Sequence, residues 1–173
     1  MKQAKVLSSS RLIYLPLSTS HLSQSYADWI NDPAVNKYLE TKQTTLEQLE
    51  DFLKEQEKKD ILFWAIHLKE NNKHIGNIKI DPIDNSESSG EYGILMGDKS
   101  EWKKGYAKEA SERIIQFCFE EYNLSKITLG VVEENTSAVK LYKKLGFEIY
   151  QIKENSGVYG DKICNTLRMV LNK

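Results

Sequence analysis

The sequence predicts an α/β protein with a central mixed, mostly antiparallel sheet flanked by helices. Three apolar stretches separated by polar turns occupy the middle of the chain, at 61–69, 74–83 and 91–97, and indicate an antiparallel meander. A strand–helix–strand unit follows, and such a unit places its two strands side by side and parallel in one sheet. No repeat or linker divides the 173 residues, so we expect a single domain over residues 1–173.

The elements before the meander are a strand and two helices. "RLIYLPL" (11–17) predicts the strand, and apolar residues at helical spacing predict a helix that Asp32–Pro33 ends. Thr44 and Glu47 form a capping-box pattern at the start of the second helix.

The elements after the meander are two helices and three strands. A helix is expected to begin near Gly105, and "KITLGVV" (126–132) is typical of a buried strand beside the third meander strand. Asn135 is the expected N-cap of the second helix, and Gly146 lies just past its end. Two closing strands, "FEIYQIKE" and "KICNTLRMVL", are joined around "SGVYGD".

Charge and hydropathy exclude some classes of protein. Lys and Arg number 24 against 25 Asp and Glu, so no basic excess points to a nucleic-acid partner. No apolar run approaches the length of a membrane span, and the N-terminus lacks the apolar core of a signal peptide. We therefore expect a cytoplasmic protein with no membrane partner.

The cysteines and histidines give no sign of a metal site. Cys118 and Cys164 are isolated, and neither belongs to a CxxC pair. His21, His67 and His74 form no HxH or HxxxH pattern. We expect no metal and two reduced thiols.

The stretch "EWKKGYAKEA" (101–110) is a candidate anion site. A glycine between a strand and a helix brings free backbone N–H groups together at the positive end of the helix dipole. Lys103, Lys104 and Lys108 add positive charge around Gly105. Neither a P-loop nor a dinucleotide-binding glycine motif is present, and an ordinary helix start is the better explanation of this stretch when it is taken alone.

Two further residues are candidates for chemistry. Tyr142 lies two helical turns after Asn135 in "NTSAVKLYKKLGF", on a similar helix face. Glu91 begins the strand "EYGILMG". A buried core tyrosine and a solvent-facing carboxylate are the ordinary alternatives.

Together these motifs resemble the GCN5-related N-acetyltransferase (GNAT) superfamily. Trp102 to Ala107 occupies the family's signature Gln/Arg-x-x-Gly-x-Gly/Ala, and "NxxAxxLYxKLGF" follows about 30 residues later. Trp102 departs from the Gln/Arg form. A tryptophan at this position of the signature resembles the branch of ribosomal-protein N-terminal (Rim-type) acetyltransferases. "WINDPAVNKYLE" looks like acetyltransferases of nucleotide-linked amino sugars. The resemblance covers nearly the whole chain and implies a GNAT-like domain with splayed strands.

The resemblance implies acetyl-CoA as co-substrate and no metal. The pantetheine arm is expected between the splayed strands, with the pyrophosphate on the amides around Gly105. Gly105 is expected because a Cβ there blocks close approach of the phosphate. The implied cofactor-binding residues are Leu95, Met96, Lys103, Lys104, Gly105, Tyr106, Ala107, Lys108, Asn135, Ala138 and Leu141.

The implied reaction is direct attack of a primary amine on the acetyl thioester. Tyr142 is expected to protonate the leaving thiolate, and a strand N–H near Leu95 or Met96 to stabilise the oxyanion. Glu91 is expected either to act as a base through a water or to bind the substrate ammonium. Cys118 lies inside a helix, so no covalent enzyme intermediate is expected.

The acceptor is the least defined part of the prediction. Trp29 and Tyr38 are candidates for one wall of its cleft, with ordinary core packing as the alternative for Trp29. A small molecule such as a nucleotide-linked amino sugar is favoured over a protein or peptide N-terminus. A non-catalytic acyl-CoA-binding module is the third possibility. "FWAI" or the last strand is a candidate surface for a homodimer, and ordinary core packing is the equal alternative for both.

Overall fold

A computed structural model describes residues 4–159 and 162–173. These residues form one open sheet of eight strands flanked by four α-helices. The strands are β1 Leu7–Ser8, β2 Leu12–Pro16, β3 Leu62–Leu68, β4 His74–Asp84, β5 Ser89–Met96, β6 Lys126–Val132, β7 Glu148–Tyr159 and β8 Lys162–Asn172. The helices are α1 Gln24–Asn31, α2 Leu46–Lys58, α3 Tyr106–Glu120 and α4 Thr136–Lys144.

The sheet has the mixed character that the sequence predicts. Its strand order is β1-β2-β3-β4-β5-β6-β8-β7, and every neighbouring pair is antiparallel except β5 and β6. The parallel pair is joined by α3, which confirms the predicted strand–helix–strand unit. The closing strands β7 and β8 form a hairpin in which β8, not β7, pairs with β6.

Local capping chemistry changes two of the predicted helix starts. The predicted first helix divides into a 3₁₀ turn at Thr19–His21 and α1, because Ser23 caps α1 separately through the Tyr26 N–H. The capping box of α2 is formed by Thr45 and Gln48, so the predicted Thr44–Glu47 box is wrong by one residue. Both alternatives place a hydroxyl three residues before a Gln or Glu side chain, so the pattern alone does not separate them.

The elements around α4 match the sequence more closely. Asn135 caps α4 by accepting a hydrogen bond from the Ala138 N–H at 3.4 Å, and Gly146 follows the helix with φ of +94°. The closing hairpin differs, because β7 continues to Tyr159 through most of the predicted turn. The end of that predicted turn, residues 160–161, lies outside the described residues.

The two faces of the sheet carry different cores. One face packs on α3 through fully buried residues such as Ile78, Ile114 and Ile127, and the other packs on α1 and α2 through Trp29 and Leu53. Because side chains alternate along a strand, successive residues of β5 point to opposite faces. In the described part of the chain, no helix combines the length and apolarity needed to span a membrane.

Candidate active site

The strands β5 and β6 separate part-way along their length. They pair only at Ser89–Lys126, Gly90–Ile127 and Glu91–Thr128, although β5 continues to Met96 and β6 to Val132. Beyond Glu91, β5 is therefore paired with β4 on one side only. We call this point of separation the fork. The backbone N–H and C=O groups that face its opening have no strand partner, so they are free to bind an extended amide-containing chain.

A turn rich in unpaired amides stands beside the open end of the fork. Lys103 and Gly105 have φ of 63° and 84°, and Gly105 is the N-cap of α3. In the described part of the chain, none of the N–H groups of residues 104–108 donates a hydrogen bond. Such a group of amides at the N-terminus of a 15-residue helix fits a phosphate, as the pyrophosphate prediction requires.

Arg11 supports this turn from a distant part of the sequence. Its Nη1 donates to the Lys104 carbonyl at 2.9 Å, and its Nε donates to the Glu109 carboxylate at 2.7 Å. The guanidinium carbon also lies 4.4 Å from the centroid of the Tyr106 ring. Sequence reasoning missed Arg11, because a single arginine before a strand carries no motif.

Trp102 now has a structural explanation. Its indole Nε1 donates a hydrogen bond of 2.8 Å to the carbonyl of Met96, the last residue of β5. The side chain thereby ties the end of β5 to the amide-rich turn. The long polar residue of the family signature is replaced here by an indole that binds the strand next to the fork.

The three lysines of the turn differ in their partners. Lys104 pairs with Glu101 at 2.7 Å, and this hydrogen bond raises the pKa of the Lys104 ammonium. Lys108 pairs with Glu112 at 2.5 Å. Lys103 forms no ion pair with any described residue, so its ammonium is the most available of the three for a bound anion.

Tyr142 lies on the α3 side of the sheet, next to β5. Its ring packs edge-on against Tyr92 with centroids 5.7 Å apart, and against Phe147 at 6.0 Å. Burial raises the pKa of Tyr142 to about 12. No atom in the described part of the chain hydrogen-bonds to its hydroxyl, whereas the Tyr92 hydroxyl is satisfied by Ser111 at 2.6 Å. Tyr142 is thus not a core tyrosine with a satisfied hydroxyl.

The other predicted residues of α4 accompany Tyr142 on the helix. Ala138 and Leu141 are half-buried and pack at the margin of the α3-side core. The Asn135 side-chain oxygen caps the helix, and its amide nitrogen donates to no described residue. The nitrogen is therefore available to an acceptor in the fork.

Glu91 points to the opposite face of β5, toward α1 and α2. Its carboxylate accepts two hydrogen bonds from Arg168, at 2.6 and 2.7 Å, and one from the Thr128 hydroxyl at 2.8 Å. Burial alone raises the pKa of Glu91, but the bonds from Arg168 and Thr128 outweigh it and hold that pKa below its ordinary value. A recess of about 480 Å³ opens beside Glu91 and Thr128.

The two residues predicted for the acceptor cleft have different surroundings. Trp29 is buried against Tyr26 and His74, and a Cβ at Gly97 would lie 2.1 Å from its indole, so its contacts are those of a core residue. Tyr38 is half-buried, donates to the Glu134 carbonyl at 3.2 Å and stacks on Tyr159. Only Tyr38 joins the loops that surround the open end of the fork.

The three histidines meet on the α1–α2 side although their sequence spacing gives no sign of it. The ring centroids of His21, His67 and His74 lie 5.0 to 5.4 Å apart. Within residues 4–159 and 162–173, no group of three or more His, Cys, Asp or Glu side chains is arranged to hold a metal ion.

A diverging parallel strand pair beside a turn of free amides defines a protein built to hold an acyl-CoA. The family model "Acetyltransferase (GNAT) domain" matches residues 11–148. The chain therefore belongs to the GNAT family, and it is an N-acetyltransferase that uses acetyl-CoA.

Comparisons with individual proteins agree with this assignment. The chain is 32% identical over 125 residues to an uncharacterized N-acetyltransferase, p20, of Bacillus licheniformis, covering 68% of each protein. It is 33% identical over 78 residues to the L-amino acid N-acetyltransferase AaaT of Escherichia coli, covering 43% of this chain and 47% of AaaT. The spermidine N-acetyltransferase of Vibrio cholerae, solved with CoA and spermine, superposes with a TM-score of 0.86 at 22% identity, over 95% of this chain and 96% of that one.

Proposed function

We propose that this acetyltransferase acts on the primary amine of a small molecule by direct attack on the acetyl thioester, with Tyr142 as general acid. The observation that carries the proposal is the Tyr142 hydroxyl, which lies on α4 next to β5 and has no hydrogen-bond partner in the described part of the chain. A hydroxyl with a pKa of about 12 keeps its proton at neutral pH. It is therefore able to donate that proton to a departing thiolate.

The proposed cofactor site combines the fork and the turn. Acetyl-CoA supplies an acetyl group activated as a thioester. The open backbone edge of β5 at Leu95 and Met96 binds its extended arm, and the amides of residues 104–108 bind its pyrophosphate. Lys103 adds a free positive charge, and the Asn135 amide donates to the arm from the opposite side.

Glu91 is the proposed residue on the acceptor side of the fork. A base works best when its pKa lies near the working pH, and the pKa of Glu91 is held below its ordinary value. Of the two roles open to Glu91, binding an ammonium therefore has more support than accepting its proton. The recess beside Glu91 leaves space for an amine next to its carboxylate.

The acceptor class is proposed from the site and from the relatives together. The names of two relatives specify small amines, one a polyamine and one an amino acid. Tyr38 stacks on Tyr159 and donates to the Glu134 carbonyl just after β6, and we infer that this ordered pair of rings suits a small acceptor better than a folded protein. A nucleotide-linked amino sugar remains our specific candidate, because of the sequence around Tyr38.

A panel of amines tests this proposal. CoA release is followed with a thiol reagent for spermidine, L-amino acids, a 4-amino sugar nucleotide and N-terminal peptides, each at matched concentration. We expect turnover with at least one small amine and none with peptides. Turnover confined to peptides would overturn the small-molecule acceptor, and acetyl-CoA binding without turnover of any amine would favour a non-catalytic module.

A further inference from the structure

Side chains from three strands meet at the fork. Glu91 is the last residue of β5 that pairs with β6, and Thr128 is its partner on β6. Arg168 lies on β8, on the far side of β6, and its guanidinium reaches across to the Glu91 carboxylate. The contact therefore spans β5, β6 and β8 at the position where β5 and β6 diverge.

Gly130 leaves room for this crossing. It is the residue of β6 that pairs with Arg168 on β8, and it is exposed. A Cβ at Gly130 would lie 2.9 Å from Nη1 of Arg168, so a larger residue would shift the guanidinium by a small distance. The Tyr150 hydroxyl accepts from Nε of Arg168 at 3.3 Å and supports the same orientation from β7.

We propose that Glu91, Thr128 and Arg168 form a clip that fixes where β5 and β6 separate, and that Arg168 is a positioning residue for the acetyl-CoA slot. This inference rests on the proposed function and specifies what sets the shape of its cofactor site. It assigns to Arg168, Thr128 and Gly130 a role that the motifs of the chain do not indicate.

The physical reason lies in how little else holds the fork. Only three residue pairs join β5 to β6, so the separation point can move by one pair at a small cost in backbone hydrogen bonds. A bidentate arginine–carboxylate pair is among the strongest and most directional of protein hydrogen-bonded contacts. The Arg168 and Glu91 side chains are only 20% and 29% exposed, which reduces screening of the pair by solvent. Without the clip, the last pair at Glu91 and Thr128 can open, so the separation point moves toward Ser89 and the shape of the slot changes.

Affinity for CoA is the direct readout, because it does not require turnover. We expect Arg168→Met to raise the Kd for CoA and the KM for acetyl-CoA about tenfold, with a smaller effect on kcat at saturating acetyl-CoA. Glu91→Gln should weaken CoA binding similarly. The double variant should be no weaker than either single variant, because both changes open the same clip.

Gly130→Ala tests the position of the Arg168 guanidinium without changing its charge. It removes no charged group, yet its Cβ crowds Nη1 of Arg168 and shifts it slightly, so we expect it to weaken CoA binding in the same direction as Arg168→Met but by less. Arg168→Lys keeps the charge but loses the two-point contact, and it should restore only part of the affinity. These variants also keep the test decisive if Arg168→Met does not fold.

Arg113→Met is the matched control. Arg113 has the same side-chain exposure of 20% and an ion pair with Glu121 at 3.4 Å, but it lies on α3, and its Nε donates to the Ser8 carbonyl rather than to a residue of the fork. Its replacement should leave the Kd for CoA within about twofold. The proposed role of the clip would be overturned by equal losses of CoA affinity in Arg168→Met and Arg113→Met. It would also be overturned if the Kd for CoA were unchanged in both Arg168→Met and Gly130→Ala. Wild-type CoA binding without turnover of any amine would overturn the proposed function while the comparison of Kd values still decides on the clip.

Discussion

Tyr142 is the residue at which the proposed chemistry is most directly testable. Tyr142→Phe removes one hydroxyl and keeps the ring packing against Tyr92 and Phe147, so the fold and the cofactor site should survive. We expect kcat to fall about a hundredfold, the usual effect of losing a general acid, with the Kd for CoA unchanged. Steady-state kinetics and calorimetry measure the two quantities. Full activity in this variant would exclude Tyr142 as the acid.

Gly105 contributes through its backbone conformation as well as through the space that it leaves. Its φ of +84° is strained for any residue with a Cβ, so Gly105→Ala should lower the free energy of unfolding by about 1 kcal/mol. It should also weaken CoA binding if the amides of this turn hold the pyrophosphate as proposed, because the added methyl group reduces the space beside them. Chemical denaturation and calorimetry follow the two effects.

Gly146→Ala is the control for this prediction. Its φ of +94° imposes a similar strain, and its Cβ would meet a neighbour at 3.3 Å, against 3.4 Å at Gly105. It lies after α4, away from the turn. We expect a similar loss of stability and a CoA affinity close to that of the wild type. Equal affinity in both variants would show that Gly105 serves the fold alone.

At the scale of elements, Arg11 couples the start of β2 to the start of α3. Arg11→Met removes its hydrogen bonds to Lys104 and Glu109, so the turn loses its support while every residue of the turn remains. We expect the Kd for CoA to rise several-fold and the free energy of unfolding to fall by about 1 kcal/mol. Arg113→Met, which removes an arginine of α3 that does not contact the turn, is the control. A Kd unchanged in Arg11→Met would mean that the turn is rigid without this arginine.

The elements themselves were largely predictable, because strands and helices leave local patterns. Alternation, caps and glycines predict the meander, the helix after Gly105 and the parallel partner of β5. The contacts that shape the site are not local. Arg11 and Glu109 are 98 residues apart in sequence, and Arg168 and Glu91 are 77 apart. No pattern in a single sequence pairs such residues, so the supports of the turn and of the fork emerge only in the folded chain.

The start of α2 and the length of β7 also differ from what the local sequence patterns predict. Neighbouring threonines, Thr44 and Thr45, offer two capping boxes that differ by one residue; the second is formed, and the Thr44 backbone is hydrogen-bonded to the Asn31 side chain instead. Polar residues of "SGVY" predict a turn, yet β7 continues through them because the pairing partners on β8 extend that far. In β7, local propensity was overridden by tertiary pairing.

At the scale of the whole molecule, stability should depend on the histidine cluster. Burial lowers the pKa of His74 from 6.5 to about 4, and burial also lowers the pKa of His21. Tyr26, Asn77 and His67 surround these rings, and none of them carries a negative charge. In the folded state, His74 and His21 therefore stay neutral at pH values at which the same histidines are protonated in the unfolded chain.

The direction of the pH dependence follows from that difference. Between about pH 6.5 and pH 4 the unfolded chain binds more protons at these histidines, so stability falls as pH falls through this range. For His74 alone, the free energy of unfolding should drop by about 2 kcal/mol between pH 7 and pH 5. Denaturation at a series of pH values measures the slope, and His74→Gln should flatten it without removing the acid-induced loss that begins near the carboxylate pKa values. A slope unchanged in His74→Gln would show that other groups determine the acid sensitivity of the fold.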